Sequence, residues 1–300
     1  MTTQPPPADI SHNLALYTRT AQRSSARVIR GYSTSFGMAT RLFDRRLRPD
    51  IENIYGLVRV ADEIVDGAAL EAGLDVDAQR SQLAAFENET VGALRSGYST
   101  NLVVHSFAVT ARAAGIGTEL TGPFFASMRR DLSPVEFTPD ELRDYIYGSA
   151  EVVGLMCLRV FLRDHEPSDG ERRRLEHGAR RLGAAFQKIN FLRDLSADWE
   201  GLGRNYFPAI DPANLTEPQK RELVADIDAD LSAAATVIPQ LPRECRAAIA
   251  AAHGLFSALT RQIQITPAAE LLRTRTRIRN VTKLGILVRT MTGRVVRNTR

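Results

Sequence analysis

QKINFLRDLSADWEGLGRNYFP, residues 187–208, places Asn190, Asp194 and Asp198 at intervals of four. On an α-helix that spacing stacks three oxygen-bearing side chains on one face, a turn apart. Such a row can hold hard divalent cations such as Mg²⁺, which take oxygen ligands. Arg193 sits beside the row, and Arg204 follows just past the helix end. Cation ligands next to arginines point to a polyanion, most simply a diphosphate bridged by metal. Alone, the stretch also reads as a solvated polar helix face, so the diphosphate reading needs a second carboxylate pair elsewhere.

Outward from this stretch the chain reads as helix after helix. Residues 11–31 carry a helical pattern with Leu14, Tyr17, Ala21 and Val28 inward, and Gly31 to Phe36 breaks it. Pro49 fits the first turn of a helix running to about Gly67, with Ile51, Ile54, Leu57, Val58 and Ala61 on its core face. Residues 67–76 read as a loop. Ala78–Leu94 and Leu102–Ala114 are amphipathic helices, and Thr118–Leu132 is another, interrupted near Gly122 and Pro123. Thr138 with Glu141 forms a capping box with Pro139 at the first helical position. That helix runs to about Arg163, and its apolar second half marks it as central and buried. Ser168 with Glu171 opens a long helix through about Ala197. A loop over 201–212 is followed by helices over 216–238 and 243–263 and by one or two more within 267–290. No strand alternation, fixed-period repeat or linker composition is present. The expectation is an all-α fold: a disordered lead over residues 1–10, a single domain over 11–290 and a basic tail over 291–300.

Composition is compatible with this. The 300 residues are 44% hydrophobic and 25% charged, enough for a sizeable core. The net charge of +4 leaves acidic small molecules, a membrane surface and nucleic acid open as partners. Cys157 and Cys245 lie in apolar helical patterns and read as buried free thiols. The polar, proline-rich start is no signal peptide, and no apolar run reaches the roughly 18–20 residues that span a bilayer. A cytoplasmic protein is expected.

The second carboxylate pair is Asp62 and Asp66, again four apart, with Arg59 one turn before on the same face. Like charges at this spacing near a helix C-terminus are unfavourable, so a cation or Arg59 must compensate them. Two such helices facing each other make an oxygen-only site for several Mg²⁺ ions clamping a diphosphate. Metal and arginine then stabilise departing pyrophosphate, and the carbon–oxygen bond can ionise. The remaining cavity must be apolar and aromatic, to hold a greasy substrate without quenching the cation.

With these motifs the sequence resembles the head-to-head prenyl synthases: phytoene, dehydrosqualene and squalene synthases. Four motifs occur in the family's order over roughly residues 31–283. They are Ser33-Thr34-Ser35-Phe36; Tyr55 through Asp66 (YGLVRVADEIVD); Tyr145 through Gly154 (YIYGSAEVVG); and Gln187 to Asp198 followed by Arg204 to Pro208. The resemblance implies an isoprenoid-synthase-type helical bundle around a central apolar cavity. It implies that Asp62, Asp66, Asn190, Asp194 and Asp198 bind Mg²⁺, with Mn²⁺ as an alternative ion. Ser33, Ser35, Arg59, Tyr145, Gln187, Arg193 and Arg204 would contact diphosphate or order the site. Phe36, Tyr55, Ala150, Val153 and Gly154 would line the prenyl channel, although Gly154 also reads as a close helix–helix contact. Arg59, Asp62, Asp66, Tyr145, Arg193 and Asp194 are the implied catalytic set. Glu63 stands where a second aspartate is usual, Thr34 where lysine is common, and Phe256 about where a tyrosine is usual.

The family condenses two identical prenyl diphosphates through a cyclopropylcarbinyl diphosphate, then loses a proton or reduces with NADPH. The chain is short and shows no C-terminal anchor of the eukaryotic squalene synthases, so a non-reductive phytoene-type enzyme without NADPH is expected. Its substrate would be geranylgeranyl diphosphate in carotenoid biosynthesis, with downstream carotenoid enzymes as partners. Alternatives are a thirty-carbon synthase (dehydrosqualene or squalene) using farnesyl diphosphate, a terpene cyclase, or a non-enzymatic basic helical protein binding membrane or nucleic acid. No nucleic-acid partner is expected. No acid occurs after Glu270, whereas nine arginines and lysines from Arg273 to Arg300 interleave with Ile278, Val281, Leu284, Ile286, Leu287, Val288 and Met291. A basic amphipathic segment of this kind reads as a peripheral contact with the inner membrane face, or as a packed helix with a solvated basic side.

Overall fold

A computed structural model describes residues 8–133, 137–202, 206–207, 210–211, 214–272 and 286; for 8–11, 34–36 and 196–202 it describes backbone only. Helices make up the fold, and no strand occurs among the described residues. In chain order they are α1 (Ala8–Tyr32), α2 (Thr34–Ala39), α3 (Arg48–Val65), α4 (Ala68–Glu71), α5 (Val76–Ser96), α6 (Leu102–Ala114) and α7 (Thr118–Asp131). Then follow α8 (Pro139–Ile146), α9 (Val152–Phe161), α10 (Asp169–Leu202), α11 (Glu217–Val237), α12 (Arg243–Ile265) and α13 (Ala268–Leu271). A π-helical turn, Tyr147–Glu151, joins α8 to α9.

Local chemistry sets most boundaries. Both expected capping boxes form: Thr138 and Glu141 cap each other's backbone at α8, and Ser168 and Glu171 do so at α10. Thr216 and Gln219 make a third at α11. Gly97 and Gly115 close α5 and α6 in the left-handed conformation, where a Cβ is costly. The core has two parts. One lies among α3, α5, α6, α7 and α9, where Phe107, Phe124 and Phe125 are fully buried. Each such ring contributes about 1.5–3 kcal/mol of transfer free energy. The other lies among α10, α11 and α12, around Ile189, Leu192, Leu195 and Ile263. Cys157 and Cys245 are free thiols, both pushed up to about 12 by burial.

Several expectations change. α1 begins at Ala8, inside the stretch expected to be disordered. Leu14 is 51% exposed. It continues the buried seam of Ala21, Ser25 and Ile29, but it precedes Tyr17, whose hydroxyl donates to the carbonyls of Ser99 and Thr100 just before α6 starts. The loop over 67–76 contains α4, whose first N–H, from Ala68, donates to Glu63 at 2.8 Å. α7 runs unbroken through Pro123. α10 continues to Leu202, into the expected loop.

The central helix is not one α-helix, because its hydrogen-bond ladder shifts at residues 147–151. The Ser127 hydroxyl donates to the Tyr145 carbonyl at 3.1 Å, drawing it off the regular ladder. Gly148 lets α7 come this close, since a Cβ there would collide with Ser127 and the Pro123 carbonyl. On the other side α10 packs backbone to backbone. A Cβ on Gly183 would lie 2.5 Å from the Ala150 carbonyl oxygen, and one on Gly154 2.5 Å from that of Ala179. Gly183→Val is therefore expected to force the helices apart and cost about 1–3 kcal/mol, read as a lower midpoint in thermal unfolding.

Candidate functional site

α3 delivers the first half of the site. Its last two turns carry Arg59, Asp62 and Glu63, and Asp66 caps the end, its N–H donating to the Asp62 carbonyl at 2.8 Å. Arg59 pairs closely with Glu63 and stands 3.9 Å from Asp62. Its guanidinium also lies 4.4 Å over the ring of Tyr32 at the end of α1. Glu63 therefore spends its carboxylate on Arg59 and on the Ala68 N–H. The extra methylene relative to aspartate gives it that reach, and it lies over Gly67 so closely that a Cβ there would push the carboxylate aside. Asp62 keeps 35% of its side chain open. Its carboxyl is nevertheless pushed up to about 7, by crowding protein atoms first, against the pull of Arg59, and then by the charges of Asp66 and Glu63. A carboxylate that is costly to ionise, next to two more, is a place where a cation gains most.

Ser33 and Tyr55 complete this edge. Their hydroxyls are hydrogen-bonded, and the Tyr55 hydroxyl is pushed up by burial, against Arg59 and with Asp62. Tyr55 was expected to line an apolar channel, but its hydroxyl belongs to the charged cluster. Gly56 beside it admits α1, since a Cβ would lie 2.9 Å from the Ser25 hydroxyl.

The second half comes from α10. Gln187, Asn190, Arg193 and Asp194 are all half-buried. Arg193 grips the neighbouring Asp194 with Nη2 2.5 Å and Nε 3.2 Å from Oδ2. Either group must release the other to serve a metal or a phosphate. The side chains of Ser35, Phe36 and Asp198, and all of Arg204, lie outside the described residues, as do Asn205, the side chain of Trp199 and, Ile286 excepted, the basic segment from Arg273 onward.

Tyr145 joins the two halves. It is buried, and its hydroxyl donates to Asp131 at 2.8 Å. Its ring packs against Phe137, Phe191 of α10 and Tyr206, and Phe191 stacks on Tyr206 at 4.1 Å. The hydroxyl is held well above the usual tyrosine range, by burial first, then by Asp131 and Tyr206, with Asp66 also contributing. Phe191 of α10 thus lies against the ring, and the charge of Asp66 at the end of α3 is felt at its hydroxyl. Sequence reasoning missed Asp131. The signal available was a lone acid closing the apolar α7 after Arg129 and Arg130. Tyr206 is buried in this packing. Phe256 stacks on Phe186 of α10 at 3.7 Å.

Ala150, Val153 and Gly154 were expected along the channel. Gly154 instead faces the α10 backbone, which is its packing reading. Ala150 is buried with its carbonyl against Gly183, and Val153 packs on the first core cluster. Among the described residues no three acids, histidines or cysteines converge into a metal cluster. The donor set is nevertheless all oxygen and split between two helices, which fits hard cations completed by a ligand's own oxygens.

Comparison with known proteins agrees with the motifs. The family model described as squalene/phytoene synthase matches residues 29–282. The chain is 27% identical over 290 residues to 15-cis-phytoene synthase of Enterobacter agglomerans, covering 89% of this chain and 95% of that one. It is 26% identical to 15-cis-phytoene synthase of Paracoccus sp. (strain N81106 / MBIC 01143), covering 88% of each. In fold it is similar to the crystal structure of a dehydrosqualene synthase in complex with ligand, with TM-score 0.75 and 17% identity over 92% of this chain and 97% of that one. Its ordered motifs, its all-α fold and a family match over most of its length place this prenyltransferase chain in the squalene/phytoene synthase family.

Proposed function

We propose that the protein condenses two geranylgeranyl diphosphates head to head into phytoene, releasing diphosphate, with Mg²⁺ required and Mn²⁺ able to replace it. The observation that carries this reading is the pair of carboxylate-bearing stretches, the end of α3 and the part of α10 around Phe191, which packs on Tyr145. The twenty-carbon substrate rests on the full-length similarity to phytoene synthases. No NADPH is needed in this reading, since the final step is a proton loss.

Asp62 and Asp66 would hold metal on one side, and Asn190, Asp194 and Asp198 on the other. When bound, the ions neutralise the diphosphate and stabilise it as a leaving group. The chain's own groups do the rest. Arg193 exchanges Asp194 for phosphate oxygens, and Arg59, already braced by Glu63 and Tyr32, adds fixed positive charge where pyrophosphate departs. Asp131 holds the Tyr145 hydroxyl in one direction, and its burial keeps that hydroxyl protonated. The rings of Phe137, Phe191 and Tyr206 keep water from this side of the site, where it would capture a carbocation.

Purified protein with geranylgeranyl diphosphate and Mg²⁺ is expected to give a forty-carbon triene by mass analysis. EDTA should abolish it, and added Mg²⁺ restore it. A thirty-carbon product from farnesyl diphosphate alone, a cyclic hydrocarbon, or product that needs NADPH would overturn the reading. We further propose a cytoplasmic enzyme in peripheral contact with the membrane, passing its product to later carotenoid enzymes.

A further inference from the structure

α1 has a face that the site does not use. Arg19, Arg23, Arg27 and Arg30 are all exposed, and at 100° per residue they fall within an 80° arc that also contains Leu16. The buried seam of Ala21, Ser25 and Ile29 lies on the opposite side. Among the described residues none of the four arginines makes an ion pair, and the acid that senses Arg30 is the buried Glu52 of α3. No Asp or Glu occurs between Asp9 and Asp44. The row of arginines is about 16 Å long. It carries exposed Leu16 at its start; Tyr32, 53% exposed and under Arg59 at the edge of the site, closes α1 two residues after Arg30 on the other side of the helix.

We propose that this face of α1 docks the enzyme on an anionic lipid bilayer. Arginines in a row fit lipid phosphates, and an exposed leucine among them fits the headgroup boundary rather than a nucleic-acid backbone. Docking there holds α1, whose end reaches the site at Tyr32, on the surface that stores prenyl-tailed substrate. That benefit rests on the function proposed above, but the docking itself is tested without turnover. Its arginines are other than those of the basic segment after Glu270.

The test is flotation of the full chain with vesicles of phosphatidylcholine alone and of phosphatidylcholine with phosphatidylglycerol. Wild type is expected to float with the anionic vesicles only, and less as salt rises. Arg19→Gln/Arg23→Gln/Arg27→Gln is expected to lose roughly 100-fold in partitioning. Arg159→Gln/Arg173→Gln/Arg221→Gln, the same charge change at other exposed positions, should partition like wild type. Equal binding to neutral vesicles, undiminished binding by the α1 variant, or tighter binding to duplex DNA at the same salt would overturn the proposal. Turnover of detergent-dispersed substrate, read in parallel, bears on the catalytic reading alone.

Discussion

Asp194→Ala and Asp62→Ala are expected to make product roughly a thousandfold more slowly than wild type, or not at all. In the proposed reaction each carboxylate removed would weaken the hold on a cation and so leave the departing diphosphate less neutralised, a loss of several kcal/mol at about 1.36 kcal/mol per tenfold in rate. The two variants should differ in stability. Asp62 is crowded with Glu63 and Asp66 against the single guanidinium of Arg59, and its carboxyl is pushed up to about 7. Deleting it relieves like-charge repulsion, so Asp62→Ala should melt no lower than wild type. Asp194 is held by Arg193, and its loss frees a half-buried guanidinium, for a small decrease. Activity lost with stability kept is the mark of a site built against the fold's own preference. Turnover within about tenfold of wild type in either variant would remove the residue from the chemistry.

The largest effect on stability is expected from Glu151→Ala. Glu151 is buried in the π-helical turn and receives Arg180 Nε at 2.6 Å and Arg181 Nη2 at 2.9 Å. Arg181 continues to Asp230 of α11 at 3.1 Å, and Lys188 bridges Asp230 and Asp226 at 2.7 and 2.5 Å. One carboxylate thus ties the central helix to α10 and, through it, to α11. Breaking a buried pair costs about 3–5 kcal/mol. Arg180 and Arg181 remain 44% and 30% exposed and can turn to water, so the lower end, about 3 kcal/mol, is expected. At about 2–4 °C per kcal/mol for a chain of this size, the midpoint should fall about 6–12 °C in a thermal melt. Activity should fall with it, because α10 carries Asn190 and Asp194. An unchanged midpoint would mean that the network is solvated in solution and holds nothing.

Much of the helical plan was readable because it depends on neighbours in the chain. The bounds of α6 and the caps of α8 and α10 follow from side chains bonding backbone three residues away. The four-residue spacing of Asp62 with Asp66, and of Asn190 with Asp194, is what marks the two halves of the candidate site, since a helix turns that spacing into one face. Gly154, open in the sequence between channel lining and a close helix–helix contact, was less legible for a different reason. A glycine's role depends on what approaches it, and here that is the Ala179 carbonyl on another helix. Glu63 was visible as a departure from the family pattern, but its bonds to Arg59 and Ala68 depend on how the chain folds back after α3.

The sequence by itself determined the all-α class, the order of the motifs and which carboxylates share a helical face, because these follow from short-range periodicity and capping. Tertiary structure alone decided that Asp131 holds Tyr145, that Ser127 and Gly148 shift the central helix into a π turn, and that Glu151 braces α10. These are contacts between helices far apart in the chain, fixed by which faces cross and how closely, and no spacing along one helix encodes its partner.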